Sequence, residues 1–437
     1  MERRVVITGI GAVTPLGNDA PTSWTAVKEG TCGIDLITHF DTEAYKVKVA
    51  AEVKGFDPLE HGLTKQELRR NDPAINYALV ASDEAVADAG LLIEGSARLA
   101  ALAEEDENAQ ANVAAERVGT YVGSGIGGFS TMIENTLKCH TDGPRKVSPL
   151  MIPNMIANMP CGAVSIRHHA TGPTLPVVTA CATSAHEIGE AFHAIKLGQI
   201  DAALAGGTEY SVIEDAIAGF TSCMALSKNP DPATACRPFD AERDGFVSGE
   251  GSVVLVLEEL EHARARGAKV YAEIVGYGNT ADAYHITSPD PHADGIARCI
   301  RMAVEEGGVK PEEGLYINAH GTSTKLNDAC ETAGFKLALG EEAARAAHIS
   351  STKSMHGHML GATGAMEAMV CALALKEGVV PATIGLTTPD PECDLDYTPG
   401  KQAVPAELTW RFLPTWASAD TTPPLRSRST WRTKHGS

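Results

Sequence analysis

Three short stretches of the 437-residue sequence contain side chains that could do chemistry together. They are TACATS (179–184) with Cys181, NAHGTST (318–324) with His320, and SSTKSMHGH (350–358) with Lys353, His356 and His358. A deprotonated thiol is a strong nucleophile, and imidazole and ammonium groups transfer protons or stabilise negative charge. These residue types together favour covalent catalysis on a thioester or another acyl group.

The position of Cys181 is typical of a nucleophile. The apolar run 176–179 predicts a buried strand, and residues 182–198 predict a helix that ends at a glycine. Cys181 therefore lies where free backbone N–H groups and the positive end of the helix dipole would stabilise a thiolate. A buried cysteine at a tight turn is the alternative, and position alone does not separate the two.

A metal site is a second possibility for the same stretches. His356 and His358 could bind a metal as a pair, but no cysteine or carboxylate lies near them in sequence to complete the site. None of the ten cysteines forms a CxxC pair, which argues against a zinc site or a disulfide framework. We therefore expect no metal.

The elements that would position these side chains form two similar series. In the first series, strands are predicted at 4–8, 118–128, 201–207 and 253–257, and a charged helix at 258–266. In the second series, strands are predicted at 270–278, 315–319 and 379–383, and a small-residue helix at 365–376. Residues 96–117, rich in alanine and glutamate, predict a surface insertion. The repeated order predicts an internal duplication, which suits a chain of this length.

The composition argues against several classes of function. A net charge of −20 makes nucleic acid an unsuitable partner. The sequence has no run of eighteen apolar residues that would predict a membrane span, and its N-terminus resembles a first strand rather than a signal peptide. We therefore expect a cytoplasmic protein. The glycines after the first two strands do not complete a dinucleotide-binding GxGxxG at the opening of a helix.

Together, the three stretches resemble the signature blocks of the β-ketoacyl-[acyl-carrier-protein] synthases. The similarity is greatest to the type II elongating enzymes of fatty acid synthesis and their aromatic polyketide relatives. Further matches are PRKVSPLMIPNMIANM (144–159), RPFDAERDGFVSGEG (237–251) and AYHITSP (283–289). The resemblance runs from residue 3 to about 409. It implies a thiolase-like α/β fold, a duplicated αβαβα architecture in five layers, with halves at 1–260 and 261–409.

The resemblance also implies a reaction. Cys181 would be the nucleophile that takes an acyl group from acyl carrier protein. His320 and His358 would act as a pair when malonyl-carrier loses carbon dioxide, because two neutral imidazoles can donate Nε2–H groups to the enolate oxygen. The carbanion would then attack the acyl thioester. The initiating synthases use His and Asn instead of two histidines.

The same family match assigns supporting residues. Lys353 would support His358, and Glu367 would lie in the same network. Thr322 and Thr324 correspond to threonines near the pantetheine arm of the carrier. No metal or redox cofactor is implied.

The implied partner, acyl carrier protein, is acidic, so an enzyme with a charge of −20 needs a local basic surface. Lys65, Arg69 and Arg70 cluster in sequence and match the family's docking helix. A solvated helix face is the alternative for this cluster. The family also implies a homodimer.

The sequence departs from the family in several places. Asn71-Asp-Pro-Ala74 replaces a Met-Asp-x-Phe stretch near the dimer interface and acyl pocket, His356 replaces a threonine and Lys325 replaces a proline. The largest departure is the tail, 410–437, which we predict is not family structure. Where the family closes with Gly-Phe-Gly-Gly-His-Asn, this chain reads Leu413-Pro-Thr-Trp-Ala-Ser-Ala-Asp-Thr-Thr-Pro-Pro424.

Codons for that segment can be chosen so that another reading frame gives the family's closing motif. Our hypothesis is a frameshift near Trp410, which sequencing of the gene would test. In the family, the lost glycine loop supplies a gating phenylalanine and a second oxyanion N–H. Losing one such donor costs about 10²–10³ in rate. We therefore expect impaired folding or turnover, and the loss of a central strand.

Four functional alternatives stay open on sequence alone. The chain could be an aromatic polyketide ketosynthase, or a thiolase-fold chain made inactive by its tail. A non-catalytic partner subunit, such as a chain-length factor, would lack the cysteine that is present here. A cysteine hydrolase with a Cys–His pair is disfavoured by the match of all three stretches.

Overall fold

A computed structural model of the chain describes residues 3–414 and 424–428, with side chains described for residues 3–410. The strands of the first half are β1 (Val5–Val13), β2 (Asp35–Leu36), β3 (Val49–Ala50), β4 (Val118–Gly123), β5 (Ala202–Glu209) and β6 (Gly251–Glu259). Its helices are α1 (Ala20–Glu29), α2 (Lys65–Arg70), α3 (Pro73–Ala89), α4 (Ala97–Glu105), α5 (Phe129–Asp142), α6 (Met151–Met155), α7 (Met159–His168), α8 (Thr183–Lys196), α9 (Glu214–Ser222) and α10 (Leu260–Ala265).

The second half repeats the alternation of strands and helices. Its strands are β7 (Ala272–Tyr277), β8 (Leu315–Asn318), β9 (His348–Ser350), β10 (Val379–Val380), β11 (Val404–Pro405), β12 (Trp410–Pro414) and β13 (Pro424–Arg428). Its helices are α11 (Asp294–Gly307), α12 (Lys325–Leu339), α13 (Glu341–Ala346), α14 (Lys353–His356) and α15 (Thr363–Glu377). The strand predicted at 379–383 is short and pairs with β11, outside the central sheet.

Nine strands form the central sheet, in the order β4-β5-β6-β1-β7-β13-β12-β8-β9. β5 is parallel to β4, and β6 is antiparallel to both β5 and β1. The second half repeats this pattern: β12 is parallel to β8, and β13 is antiparallel to both β12 and β7. The halves join where β1 pairs with β7. The predicted duplication is confirmed.

The helices complete five layers. Successive residues of β6 point to opposite faces, so Val254 and Val256 pack with the α3 side chains while Leu255 and Leu257 pack with those of α8 and α15. α8 and α15 also contact strands of the second half, and α11 covers β7 and β13. The layers therefore alternate between helix and sheet, as the thiolase-like fold requires. Because both faces are covered, the sheet strands β1, β4, β5 and β6 are buried along almost their whole length and are mainly apolar.

The segment before Cys181 differs from the prediction. Residues 176–179 are neither a strand nor fully buried, and Val178 keeps 50% of its surface exposed. This segment runs along β4, the edge of the sheet, where the Leu175 N–H donates to the Thr120 oxygen at 3.1 Å. Leu175 is also half exposed, at 51%. An apolar run is therefore left open at a sheet edge, which is unusual for a monomer.

Two other expectations concern surface features. The predicted insertion contains α4, and the residues of this helix are largely exposed. Within the residues that the structure describes, no helix is long and apolar enough to cross a membrane. The expected cytoplasmic location stays a prediction.

The tail also differs from the prediction. The backbone of β12 and β13 lies between β8 and β7, in the places that β5 and β6 occupy in the first half. The expected loss of a central strand is therefore wrong for these two segments. Residues 415–423 and 429–437, which include most of the displaced closing motif, lie outside the described residues. The frameshift stays a hypothesis.

Trp410 tests how firmly the tail belongs to the fold. Its side chain is 3% exposed in the core of the second half, and its indole N–H donates to Glu313 at 3.2 Å. We expect Trp410→Ala to lower the free energy of unfolding by about 3–5 kcal/mol, measured by chemical denaturation, because it leaves a large cavity. Trp410→Phe, which keeps an aromatic ring, should cost less. A loss under about 1 kcal/mol for the alanine variant would contradict this packing.

Candidate active site

Cys181 lies at the junction between the edge segment and α8. A single 3₁₀ turn, Ala180–Ala182, leads directly into α8, and Ala180 has a φ of 50°. The Thr179 N–H donates to the Thr183 hydroxyl at 3.0 Å, which closes the turn. Alanine is small enough to reduce, though not remove, the cost of a left-handed conformation. The turn presents the thiol at the head of a helix that is itself buried.

The fold brings both predicted histidines to this thiol. His320 follows β8, and His358 lies in the loop between α14 and α15. The Cys181 Sγ is 3.0 Å from the His358 Nε2, and a ligand atom from each of the three residues lies within 4.8 Å of the others. The two imidazole rings are nearly perpendicular, with centroids 5.2 Å apart. Three residues spread over 177 positions therefore form one cluster.

The hydrogen bonds of His358 define its tautomer. Its Nδ1 accepts from the Leu360 N–H at 3.2 Å, and the Thr363 hydroxyl lies 2.9 Å from the same nitrogen. A backbone N–H can only donate, so Nδ1 carries no proton in the neutral ring. The proton is therefore on Nε2, which faces Cys181. The His358 backbone is also held, since its N–H donates to the Val247 oxygen at 2.7 Å.

Both histidines are neutral at ordinary pH. Burial, followed by the positive charge of Lys353, holds the pKa of His320 and the pKa of His358 well below their usual range. A neutral imidazole with Nε2–H can donate a hydrogen bond to an oxygen that becomes negative. Neither ring has to lose a proton first, so the pair is suited to stabilise an enolate.

The thiol does not behave as its position suggested. Burial raises the pKa of Cys181 to about 12, although the charge of Lys353 acts in the opposite direction. The residue packs beside the apolar cluster that contains Phe246 and Leu360. The expected stabilisation of a thiolate by the helix end stays a prediction, because burial raises the pKa of the thiol more than Lys353 and the backbone hydrogen bond lower it. The resting group is a thiol.

Lys353 and Glu367 form a buried ion pair, with side chains that are 1% and 0% exposed. Lys353 acts on His358 through its charge, and its ammonium group donates a hydrogen bond to the carboxylate of Glu367. A buried ammonium needs such a partner to remain charged. The structure thus places Lys353 and Glu367 in one network beside the histidines.

The two predicted threonines also lie together. The hydroxyls of Thr322 and Thr324 are 2.9 Å apart, in the loop that joins His320 to α12. Thr322 is buried and Thr324 is partly exposed. The Arg243 guanidinium fixes this loop by donating to the Thr324 carbonyl at 3.0 Å.

The basic cluster is separate from the cysteine and histidines. Lys65, Arg69 and Arg70 are exposed on α2, a short helix that begins with a capping box formed by Thr64 and Glu67. In the described part of the chain, no hydrogen bond or ion pair joins these three side chains to Cys181, His320 or His358. They form a distinct surface.

Sequence reasoning missed two neighbours of the histidines. The ring of Phe246 meets His358 edge-on, with centroids 5.2 Å apart. Glu331 accepts from the N–H groups of His320 at 2.6 Å and Gly321 at 2.8 Å, and burial raises its pKa to about 8. Phe246 stands between glycines in DGFVSGEG, a possible signal, whereas nothing in the sequence around Glu331 marks it.

The cluster could also hold a metal, since a thiol and two imidazoles are suitable ligands. The nearby charge of Lys353 would oppose a bound cation. His356 does not join the cluster, because its Nε2 pairs with the Thr352 hydroxyl at 3.1 Å. The expected absence of a metal stays a prediction.

Comparison with known proteins decides the family. Residues 2–263 match the β-ketoacyl synthase N-terminal domain, and residues 271–387 match its C-terminal domain. The chain belongs to the β-ketoacyl synthase family. It is 49% identical over 399 residues to 3-oxoacyl-[acyl-carrier-protein] synthase 2 of Staphylococcus aureus, covering 91% of this chain and 92% of the relative.

Solved β-ketoacyl synthase structures agree with the fold. A β-ketoacyl synthase from Burkholderia phymatum superposes with a TM-score of 0.87 at 33% identity, covering 99% of this chain and 100% of the other. A type II polyketide acyl-carrier protein in complex with its ketosynthase, bound to a hexaketide, gives the same TM-score at 29% identity and the same coverage. The thiolase-like fold expected from the sequence is confirmed.

The histidine assignment predicts a spectroscopic result. In ¹⁵N-histidine NMR at pH 7, we expect His358 to show a protonated Nε2 and an unprotonated Nδ1. Because burial and Lys353 depress the pKa, the ring should remain neutral between pH 8 and pH 5. A titration midpoint near 6.5, or the opposite tautomer, would contradict the assignment.

Proposed function

We propose that this chain catalyses the decarboxylating Claisen condensation of malonyl-[acyl-carrier-protein] with an acyl chain on Cys181, in fatty acid elongation. The observation that carries the proposal is the 3.0 Å contact between Cys181 Sγ and a neutral His358 Nε2, with His320 in the same cluster. The relative from Staphylococcus aureus is named for the same activity.

The first half-reaction is transfer of an acyl group. The Cys181 sulfur attacks the carbonyl of the acyl-carrier thioester, and the carrier leaves as a free thiol with the proton that the cysteine gives up. Because the resting thiol has a high pKa, its proton must leave as the sulfur attacks. The positive charge of Lys353 supports the negative charge that develops there.

The second half-reaction uses the two histidines. Malonyl-carrier binds with its thioester oxygen facing the Nε2–H groups of His320 and His358. Loss of carbon dioxide places the electron pair in an enolate, which both donors stabilise. The enolate carbon then attacks the acyl thioester, and the Cys181 sulfur leaves as a thiolate that takes up a proton from solvent as the β-ketoacyl-carrier forms. Burial, together with the positive charge of Lys353, keeps both imidazoles neutral, and Glu367 pairs with Lys353.

Two alternatives rest on specific observations. A polyketide ketosynthase is favoured by the structural neighbour bound to a hexaketide, but that match is 29% identical, against 49% for the fatty acid relative. A chain impaired by its tail is suggested by the closing motif, which falls mainly in 415–423, outside the described residues. Fatty acid elongation is therefore the better supported function.

The carrier partner and its docking surface belong to the same proposal. Lys65, Arg69 and Arg70 are exposed and lie on one short helix, in a protein that carries a net charge of −20. An acidic carrier would be repelled by most of this surface, so a local basic cluster determines where it can approach. Thr322 and Thr324 would then contact the pantetheine arm.

A homodimer is also proposed. Its support is the half-exposed apolar run that contains Leu175 and Val178 and follows the outer edge of the sheet beside β4. Pairing with the same segment of a second copy would cover these side chains and complete the edge.

The intact mass of the protein after mixing with a medium-chain acyl-carrier thioester tests the proposal. We expect one acyl adduct on the parent chain and none on Cys181→Ala. Cys223→Ala, which removes an exposed thiol instead, should still be acylated. Release of free fatty acid without malonyl-carrier would indicate a hydrolase. No adduct on folded protein would show that the tail has disabled the site.

The same assay separates docking from chemistry when acyl-pantetheine replaces the acyl-carrier donor. Arg69→Glu should slow acylation by acyl-carrier and leave acylation by acyl-pantetheine unchanged. Arg264→Glu, at an exposed position of α10, is the matched control and should affect neither donor. Equal slowing with both donors would contradict the docking role.

A further inference from the structure

Glu209 is the last residue of β5, and its side chain is completely buried. Its carboxylate accepts four hydrogen bonds from neutral groups. Oε1 accepts from the Ser124 hydroxyl at 2.6 Å and the Ile126 N–H at 3.3 Å. Oε2 accepts from the N–H groups of Gly125 at 2.8 Å and Gly361 at 2.9 Å. Among the described side chains, none forms an ion pair with Glu209.

These donors come from both halves of the molecule. Residues 124–126 follow β4, while Gly361 lies just before α15. The two segments touch: a Cβ added to Gly361 would lie 2.4 Å from the Gly125 nitrogen. Only glycine permits such an approach. Glu209 therefore joins two loops that meet without side chains between them.

The joined loops are next to the reacting groups. A Cβ on Gly125 would lie 3.3 Å from the oxygen of Ala180, the residue before Cys181. Gly361 follows Leu360, whose N–H fixes the His358 ring. A shift of either loop would therefore change the distance between sulfur and imidazole.

We propose that Glu209 is a positioning residue for the condensation, holding residues 124–126 and Gly361 together so that Cys181 and His358 keep their distance. The inference rests on the proposed function and deepens it, since it concerns the same site. Within the described side chains, no hydrogen bond joins Glu209 to the Cys181 sulfur or the His358 imidazole. It acts through the backbone of the two loops.

A carboxylate is needed here because of the number of donors. Four donors require four acceptor positions, which an ionised carboxylate has and an amide lacks. Burying a carboxylate without a cation is otherwise costly, and burial raises the pKa of Glu209 to about 7. Packing alone therefore does not explain why a carboxylate occupies position 209.

The charge of Glu209 has a second consequence. It raises the pKa of Cys181, against the effect of Lys353. The titratable groups that surround or act on the thiol are Lys353, Glu209, Glu367, His320 and His358. Removal of the Glu209 charge should make the thiolate easier to form, whereas a merely structural change should not.

Two variants separate the positioning role of Glu209 from the effect of its charge on the thiol. Glu209→Gln keeps the length of the side chain and removes the charge, and Glu209→Asp keeps the charge but is one methylene too short to reach all four donors. We expect both to lower kcat for condensation by about 10- to 100-fold, because the reacting groups lose their alignment. KM for acyl-carrier should change less than about twofold.

Alkylation of Cys181 by iodoacetamide is the second readout, measured on its peptide by mass spectrometry at pH 8.5, where Glu209 is ionised. Glu209→Gln should raise this rate about tenfold, because removing the negative charge of Glu209 favours the thiolate that is alkylated. Glu209→Asp should stay within about twofold of the parent rate, because it keeps the charge.

Glu258→Gln is the matched control, because Glu258 is a buried carboxylate of β6 bonded to Thr8 and Arg266. It should lower stability without changing either readout. The proposal is overturned if both Glu209 variants keep the parent kcat, or if Asp and Gln raise the alkylation rate equally. If the parent chain does not condense malonyl-carrier, the proposed function fails, and the alkylation rates still test the effect of Glu209.

Discussion

The close approach of α8 and α15 at the centre of the molecule is the constraint on which the site depends. Cys181 precedes α8 and His358 precedes α15, so their distance is set by how the two helices meet. They meet at a glycine: a Cβ added to Gly364 would lie 2.7 Å from the Cβ of Ala185. A larger residue there would separate the helices and the groups at their ends. The duplicated fold thus makes one site from equivalent positions of its two halves.

The second constraint is loss of water around the three reactive groups. Burial raises the pKa of Cys181 and lowers those of His320 and His358, so the resting site holds a neutral thiol and two neutral imidazoles. The positive charge of Lys353 acts on all three, and Lys353 pairs with Glu367 in the interior. The site is therefore prepared for negative charge that appears only during reaction, as transition-state stabilisation requires.

Much of the fold and site could be predicted from the sequence, for physical reasons. Strands covered on both faces are mainly apolar, and three short polar stretches at element ends locate Cys181, His320 and His358. The burial of each side chain could not be predicted from the sequence. The pKa of the Cys181 thiol was therefore expected to be lower than it is. Residues 176–179 are partly exposed because they lie at the edge of the sheet. An apolar run in the sequence does not show whether it lies at an edge or in the centre. Glu209 was missed because its four donors come from two distant loops.

Release of carbon dioxide from malonyl-carrier tests the central claim most directly, namely that two neutral histidines beside Cys181 stabilise an enolate. The release can be measured for the parent chain, His320→Ala and His358→Ala, with His356→Thr as a control at a histidine outside the cluster. The account predicts a loss of about 10²–10³ for each of the two alanine variants, with the control near the parent rate. Equal release by all four proteins would contradict it.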